Sequence, residues 1–366
     1  MFSLDDLRRW PDLDAPGLVA VDAADRLLLD ESAIALADLA PGELAVIGDA
    51  YGALALGAAA QGVRGIRVHQ DALTGERALA ANAERAGLSD TFVSHGLDAS
   101  LVAGARVVLV RLPRSLDALR DIAALIAAHA ASDVVVFAGG RIKHMTLAMN
   151  EVLRANFDRL DITHARQKSR VLIARGPRDG HDPTPRTREH DGLVVCAFGG
   201  AFAGPSIDIG TRLLRDHLPD RVAAPAIDLA CGTGIVATSL ALRHPDLTVY
   251  ASDESAAAVA SARATAAANG VADRVRVERD DLLGALAAHS AGFIALNPPF
   301  HSGSAVTEDL AERFFRDAAR VLRPGGELWT VFNSGLRYRA ALEKIVGPTR
   351  QIARNAKFTV TASTRR

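Results

Sequence analysis

Only two cysteines, Cys196 and Cys231, occur in 366 residues. They are too few for a disulfide framework and lack the paired spacing of a zinc site. No run of about 18 or more uncharged apolar residues is present, so no membrane span is expected. The opening MFSLDDLRRW lacks the basic-then-apolar plan of a secretion signal. Aromatic residues make up 5% of the chain and the net charge is −1, so the molecule as a whole does not advertise nucleic-acid binding. A cytoplasmic protein is expected, and a monomer.

What is present is an apolar fraction of 49%, rich in alanine, over a length that exceeds one ordinary domain. Charge is uneven along it. Residues 335–366 hold eight Lys and Arg against the single acid Glu343, and residues 141–175 hold eight against three acids. Such stretches either attract phosphates or are ordinary solvated surface.

The clearest break is Gly176-Pro177-Arg178-Asp179-Gly180-His181-Asp182-Pro183-Thr184-Pro185, followed by polar residues to Gly192. Proline and glycine at this density oppose helix and strand, so 176–192 reads as a linker between halves 1–175 and 193–366. In the second half, short apolar strands alternate with helices: strand Ala226-Ile227-Asp228-Leu229, helix Ile235 to Arg243, strand Leu247 to Ala251, helix Ala256 to Ala268, strand Gly292 to Leu296. That alternation predicts a parallel sheet covered on both faces. The first half repeats the plan, with Asp71 read as the counterpart of Asp253 and Arg111-Leu112-Pro113-Arg114 as that of Asn297-Pro298-Pro299-Phe300. The fold expected is therefore α/β: two tandem Rossmann-like domains, the first degenerate. Arg111 and Arg114 are then either phosphate contacts or surface charges.

Asp228-Leu229-Ala230-Cys231-Gly232-Thr233-Gly234 follows a strand and opens a helix. Glycines there let the backbone approach a ligand, and the helix N-terminus offers N–H groups. Dinucleotide-binding folds use a similar turn. Two acids favour S-adenosylmethionine instead. Asp228 precedes the turn, where it would repel a pyrophosphate and welcome a cationic amino-acid moiety. Asp253 ends the next strand, where it can bond both ribose hydroxyls. Of Asp280 and Asp281, the second is the expected acceptor for the adenine amine, the alternative being a solvated loop or cap. The cofactor set is thus Asp228, Ala230, Gly232, Gly234, Asp253 and Asp281.

Asn297, Pro298, Pro299 and Phe300 leave the C-terminal end of a buried strand, the ligand-binding edge of an open α/β sheet. An exocyclic amine is a poor nucleophile because its lone pair is delocalised. The Asn297 side-chain carbonyl and the Pro298 backbone carbonyl can accept its two N–H groups and aim the lone pair at a methyl sulfonium. Pro299 stiffens the loop, and Phe300 can stack on a planar target. Catalysis then rests on positioning, with no general base of shifted pKa.

The loop, Asp253-Glu254-Ser255 and Asn297-Pro298-Pro299-Phe300-His301 together resemble the small-domain methyltransferases, specifically the ribosomal RNA guanine-N2 methyltransferases. Asp22-Ala23-Ala24-Asp25-Arg26-Leu27-Leu28-Leu29, Leu336-x-Tyr338 with Leu342-x-Lys344-Ile345-x-Gly347, and Asn355-Ala356-Lys357-Phe358 are most similar to the large-subunit branch. The resemblance implies a catalytic C-terminal domain that uses S-adenosylmethionine. It also implies an N-terminal domain that positions RNA or supports structure, and ribosomal RNA or a ribosomal subunit as partner, 23S favoured over 16S. Ile207-Asp208-Ile209-Gly210 matches a family segment that either closes over the cofactor or starts helix 211–217. Departures are Ala230, where many methyltransferases have glycine, and the near-neutral charge. The same tetrapeptide, commonly with Tyr for Phe300, serves protein glutamine and DNA adenine methylation. A non-catalytic RNA-binding scaffold is the reading from another class, and it has no need of Asp228, Asp253 and Asn297 together.

Overall fold

The computed structural model describes the chain except Met1, residues 14–16 and 299–304, and the side chains of 305–308. It divides into an N-terminal unit, Met1–Thr184, and a C-terminal unit, Pro185–Arg366.

In order, the N-terminal unit comprises α1 (Ala23–Ala37), β1 (Leu44–Ile47), α2 (Ala53–Ala60), β2 (Ile66–His69), α3 (Leu73–Ala86), β3 (Phe92–Ser94), α4 (Ala99–Val102), β4 (Val107–Arg111), α5 (Leu116–His129), β5 (Val135–Arg141), α6 (Leu147–Asn156), β6 (Phe157–Ile162) and β7 (Ser169–Pro177). The C-terminal unit begins with a hairpin of β8 (Arg186–His190) and β9 (Leu193–Ala197). It continues with α7 (Ile209–Asp216), β10 (Ala226–Leu229), α8 (Ile235–Arg243), β11 (Val249–Asp253), α9 (Ala256–Ala268), β12 (Val275–Arg279), β13 (Ala291–Leu296), α10 (Ala305–Val321), β14 (Leu322–Asn333), α11 (Tyr338–Ile345), β15 (Thr349–Arg354) and β16 (Phe358–Thr364).

Each unit builds one seven-stranded sheet, β3-β2-β1-β4-β5-β7-β6 and β12-β11-β10-β13-β14-β16-β15. The two orders are the same when each unit is numbered from its own first sheet strand. Five neighbouring strands run parallel and the last two antiparallel in both. The tandem α/β repeat expected from the sequence is the observed architecture.

Buried strands alternate sides. In β13, Phe293 and Ala295 enter one apolar cluster together with Leu214 of α7, while Ile294 and Leu296 enter the other. The next residue on the α7 side is Asn297. In β4 the same parity puts Val107 and Leu109 in a cluster with Leu27, Leu28 and Leu29 of α1, so α1 occupies in its unit the place of α7.

Register corrects one correspondence. Ile47 pairs with His69, and Leu229 with Ser252. Gln70, not Asp71, therefore stands where Asp253 stands, and Asp71 matches Glu254. On the other side Ile47 pairs with Val110 and Leu229 with Leu296, which sets Arg111 opposite Asn297 as expected. Val46 takes the place of Asp228.

The segment 176–192 is only partly irregular. Strand β7 reaches Pro177 and β8 starts at Arg186. Asp191 and Gly192, both left-handed at φ 51° and 80°, make the turn into β9. An Asp-Gly pair in that conformation matches the right-handed twist of a hairpin.

Candidate active site

Strand β10 ends in a turn that bends three times through left-handed backbone, at Ala230 (φ 57°), Gly232 (φ 54°) and Gly234 (φ 75°). Gly234 begins α8, and a Cβ there would lie 2.8 Å from the Cβ of Ala262 in α9, so only glycine fits. Ala230 holds a conformation that costs an L-residue roughly 1–2 kcal/mol. The corresponding residue of the N-terminal unit is Gly48, at φ 81°. Cys231 is buried, with its thiol pushed well up by burial and then by Asp253 and Asp228. It is a small residue in a tight turn.

Asp228 is 3% exposed and accepts the Ala237 N–H in the first turn of α8 at 2.8 Å. Burial, opposed by that hydrogen bond and reinforced by the charge of Asp253, pushes its carboxyl up to about 7. Asp253 accepts the N–H of Gly232 at 2.9 Å and of Ser255 at 3.0 Å. A carboxylate offers about four acceptor sites, so those two bonds do not exhaust it. The Asp253 carbonyl accepts Asp280 N–H at 3.0 Å, which draws the loop after β12 alongside. Asp280 is buried and caps the following turn through Ala285 N–H at 2.8 Å. Asp281 is partly exposed, 3.8 Å from Arg313 of α10. Asp228, Ala230, Gly232, Gly234 and Asp253 thus frame one loop, with Asp281 on the segment drawn up beside it.

The fit to a cationic nucleoside ligand is visible in two features. A Cβ on Gly232 would meet nothing within 4 Å, so the crest of the loop is open. Two acids flank that opening, and burial favours the protonated form of Asp228. Among the described residues no cluster of His, Cys, Asp or Glu is arranged to hold a metal.

Asn297 follows β13 at the same sheet edge. Its side-chain N–H donates to Thr211 Oγ1 at 2.8 Å, with Asp208 Oδ2 at 3.5 Å. Asp208 is the N-cap of α7, accepting the N–H of Gly210 at 2.9 Å and of Thr211 at 3.2 Å. Ile207-Asp208-Ile209-Gly210 therefore starts a helix. A carboxylate only accepts, whereas a hydroxyl donates or accepts. Asp208 thus selects the rotamer in which the Asn297 nitrogen faces α7 and its carbonyl oxygen is left for another donor. Sequence reasoning missed this pair. Pro298 is buried, whereas Pro299, Phe300 and His301 lie outside the described residues.

The same joint exists in the N-terminal unit with different chemistry. Asp22 caps α1, and Arg111 donates to Asp22 at 2.8 and 3.0 Å and to Asp25 at 2.5 Å. Burial alone would raise the Asp22 carboxyl, but Arg111 brings it down to about 2; for Asp25 burial prevails, and it rises to about 6. Gln70 donates its amide to the Asp49 carbonyl, and Asp49 is itself buried on the Leu54 and Ala55 N–H groups of α2. Arg111 is consequently committed to internal acids and is not a phosphate contact.

A mixed sheet with five parallel strands, a glycine turn flanked by two acids and an oriented asparagine at the strand end fit a methyltransferase fold. Residues 192–362 match the methyltransferase small domain family, and residues 2–178 match the RLMG N-terminal domain. The ribosomal RNA large subunit methyltransferase G of Shewanella amazonensis is 33% identical over 364 residues, 97% of this chain and 94% of that protein. The protein of the same name from Streptomyces avermitilis is 36% identical over 369 residues, 97% and 95% of the two chains. The chain belongs to the ribosomal RNA large subunit methyltransferase G family. Its fold is shared with the T. thermophilus 16S rRNA N2 G1207 methyltransferase (RsmC), solved with AdoMet and guanosine, at a TM-score of 0.76 and 21% identity over 94% of this chain and 92% of that one. No helix among the described residues is long and apolar enough to cross a membrane.

Proposed function

We propose that this chain methylates the exocyclic N2 of a guanine in large-subunit (23S) ribosomal RNA in the cytoplasm, with S-adenosylmethionine as methyl donor. The single observation that carries the reading is the held Asn297 amide, whose nitrogen is bonded to Thr211 while its carbonyl is left to accept. The names of the family relatives favour ribosomal RNA over a protein glutamine, a DNA adenine or a non-catalytic role.

Asp253 would take the ribose hydroxyls and Asp228 the cationic end of the donor, with Asp281 toward the adenine. Bound there, the donor supplies an electrophilic methyl group: the N2–C bond forms as the S–C bond breaks. The Asn297 Oδ1 and the Pro298 carbonyl accept the two N–H groups of the amine, turning its lone pair out of conjugation and along the line of transfer. One of those protons then leaves to solvent. Phe300 would stack on the base. Preorganised acceptors of this kind lower the barrier without reorganising.

Transfer of labelled methyl onto undermodified 23S RNA, 16S RNA, protein and DNA tests the reading, with incorporation expected into 23S alone. Asn297→Ala should lower transfer by about a hundredfold or more while cofactor affinity stays within a few-fold. Turnover intact in that variant would overturn the role given to Asn297, and incorporation only into protein or DNA would overturn the substrate.

A further inference from the structure

Among the basic residues of 335–366, Arg339 pairs with Glu343 and Arg350 with Glu327. Arg365 differs from both. It makes no side-chain hydrogen bond or ion pair among the described residues, and its Nε is buried. A guanidinium stays charged at any ordinary pH, so a buried nitrogen of this group without an acceptor is costly. Its backbone is fixed from both sides: Arg365 N–H donates to the Gly326 carbonyl at 2.8 Å, and Gly325 N–H donates to the Arg365 carbonyl at 2.9 Å. The sheet itself therefore sets this side chain just past β16.

Arg365 lines a cleft of about 400 Å³, within the size range of small-molecule sites. Arg316 and Arg320 of α10 share it, with His289 and the apolar Ala319 and Ile345. No Asp or Glu lines it among the described residues. Arg316 is bonded to Glu312. Arg320 donates to Asp317 at 2.7 Å and to the Leu286 and Leu283 carbonyls at 2.7 and 2.8 Å, and a guanidinium has further N–H groups to give. Glu312 and Asp317 are thus each matched by one arginine, and Arg365 is the cation left over. His289 holds left-handed backbone at φ 56°, with its N–H on the Arg320 carbonyl at 3.0 Å and its ring Nδ1 donating to the Leu322 carbonyl at 3.2 Å. Its Nε2 becomes a donor when the ring is protonated.

This cleft lies at the far end of the sheet from Asn297. His289 precedes β13 and Asn297 follows it, so the length of that strand, about 20 Å, separates the two. Guanidinium groups match phosphate oxygens as a fork, and the apolar walls strengthen such contacts by excluding water. A phosphodiester within a nucleic-acid strand carries a sugar on each side and does not reach a buried Nε, whereas a terminal phosphate does. We propose that the cleft between α10, α11 and the end of β16 is a binding site for a compact phosphoryl anion, either free phosphate or pyrophosphate or the terminal phosphate of a small metabolite. The site is independent of the substrate assigned above.

Calorimetric titration of the full chain with inorganic phosphate, inorganic pyrophosphate and a nucleoside monophosphate, at constant ionic strength, tests it. Saturable binding of one anion per chain is expected. Arg365→Gln removes a charge that has no protein partner among the described residues, and should weaken binding about tenfold to a hundredfold. Arg365→Lys keeps the charge without the fork and should fall between the two. Arg316→Gln, at an exposed position, should weaken binding by less. S-adenosylmethionine affinity should be unchanged in all three variants, which also reports that each is folded. Absence of saturable binding, or equal affinity in the wild type and Arg365→Gln, overturns the site. Competitive displacement of pyrophosphate by S-adenosylmethionine would put the anion in the donor loop and overturn it too, as would displacement by an RNA strand without terminal phosphates. Preference for the nucleotide over both inorganic anions, or the reverse, decides the source and supports the site in either case.

Discussion

Replacing Thr211 with valine should slow methyl transfer about fivefold while leaving cofactor affinity unchanged. The substitution keeps the β-branched shape at an 8% exposed position and deletes the oxygen that accepts Asn297 N–H at 2.8 Å. What remains to hold that nitrogen is Asp208 Oδ2 at 3.5 Å, too long for a strong bond. A neutral hydrogen bond of this kind is worth about 1 kcal/mol net, and 1 kcal/mol in a barrier is about fivefold in rate. In the role proposed for Asn297 its carbonyl is placed on the amine, so the loss belongs in kcat and not in donor binding. Asp208→Asn asks about orientation instead. Asparagine caps a helix about as well as aspartate, so α7 survives, but it can donate to the Asn297 oxygen and so tolerates the reversed amide. A loss of roughly twofold to tenfold is expected, since the reversed conformer becomes about equally bonded. Single-turnover transfer at saturating donor reads the step, and calorimetry reads donor affinity. Thr211→Ser must recover most of the rate. Full activity in Thr211→Val, or a serine variant as slow as the valine one, would refute the account of how Asn297 is held.

Two further perturbations test the acids. The folded chain keeps a proton on Asp228 up to about pH 7, where an unfolded aspartate has lost it above 3.8, so the donor-free protein loses stability as pH rises between these values. Asp228→Asn, which retains an acceptor for Ala237 N–H, should flatten that loss, at most about 4 kcal/mol, and raise the melting temperature at pH 8, yet weaken donor binding. A melting profile with the wild-type pH dependence would sink this assignment. In the N-terminal unit, Arg111→Ala leaves Asp22 and Asp25 facing each other without a cation and should cost about 3 kcal/mol in urea unfolding at pH 7; a cost under about 1 kcal/mol would mean the cluster is worth no more than a surface pair.

The glycine loop, the strand end before Asn297 and the tandem sheets were legible because each is written locally. Helices Ile235–Arg243 and Ala256–Ala268 start and stop where Gly234 and Asn269-Gly270 punctuate them. The hairpin of β8 and β9 was less legible. Arg186-Thr187-Arg188-Glu189-His190 has no apolar alternation, because this edge strand is largely exposed and pairs with β9 as its one neighbouring strand among the described residues. Its Asp191-Gly192 turn was the available signal, masked by the prolines before it. The Gln70 correspondence failed by one residue because register is a property of pairing, and neither strand announces its last paired residue. The grip of Asp208 and Thr211 on Asn297 spans nearly 90 positions, and no periodicity reaches that far.

The N-terminal copy differs from its partner at coupled places, and the coupling explains why it stays silent. Arg111 in the position of Asn297 would be an unpaired cation at a sheet end without Asp22 and Asp25, while those two acids would repel each other without Arg111. Gln70, in the place of Asp253, uses its amide on the Asp49 carbonyl, and Asp49 in turn satisfies α2 where Asp228 satisfies α8. Arg111 and Gln70, which stand at the positions of Asn297 and Asp253, are both bonded internally. Reverting Arg111→Asn alone would therefore strand two acids, and restoring Asp253's counterpart alone would add a third charge beside them. Restoring chemistry would require several simultaneous changes, each unfavourable by itself.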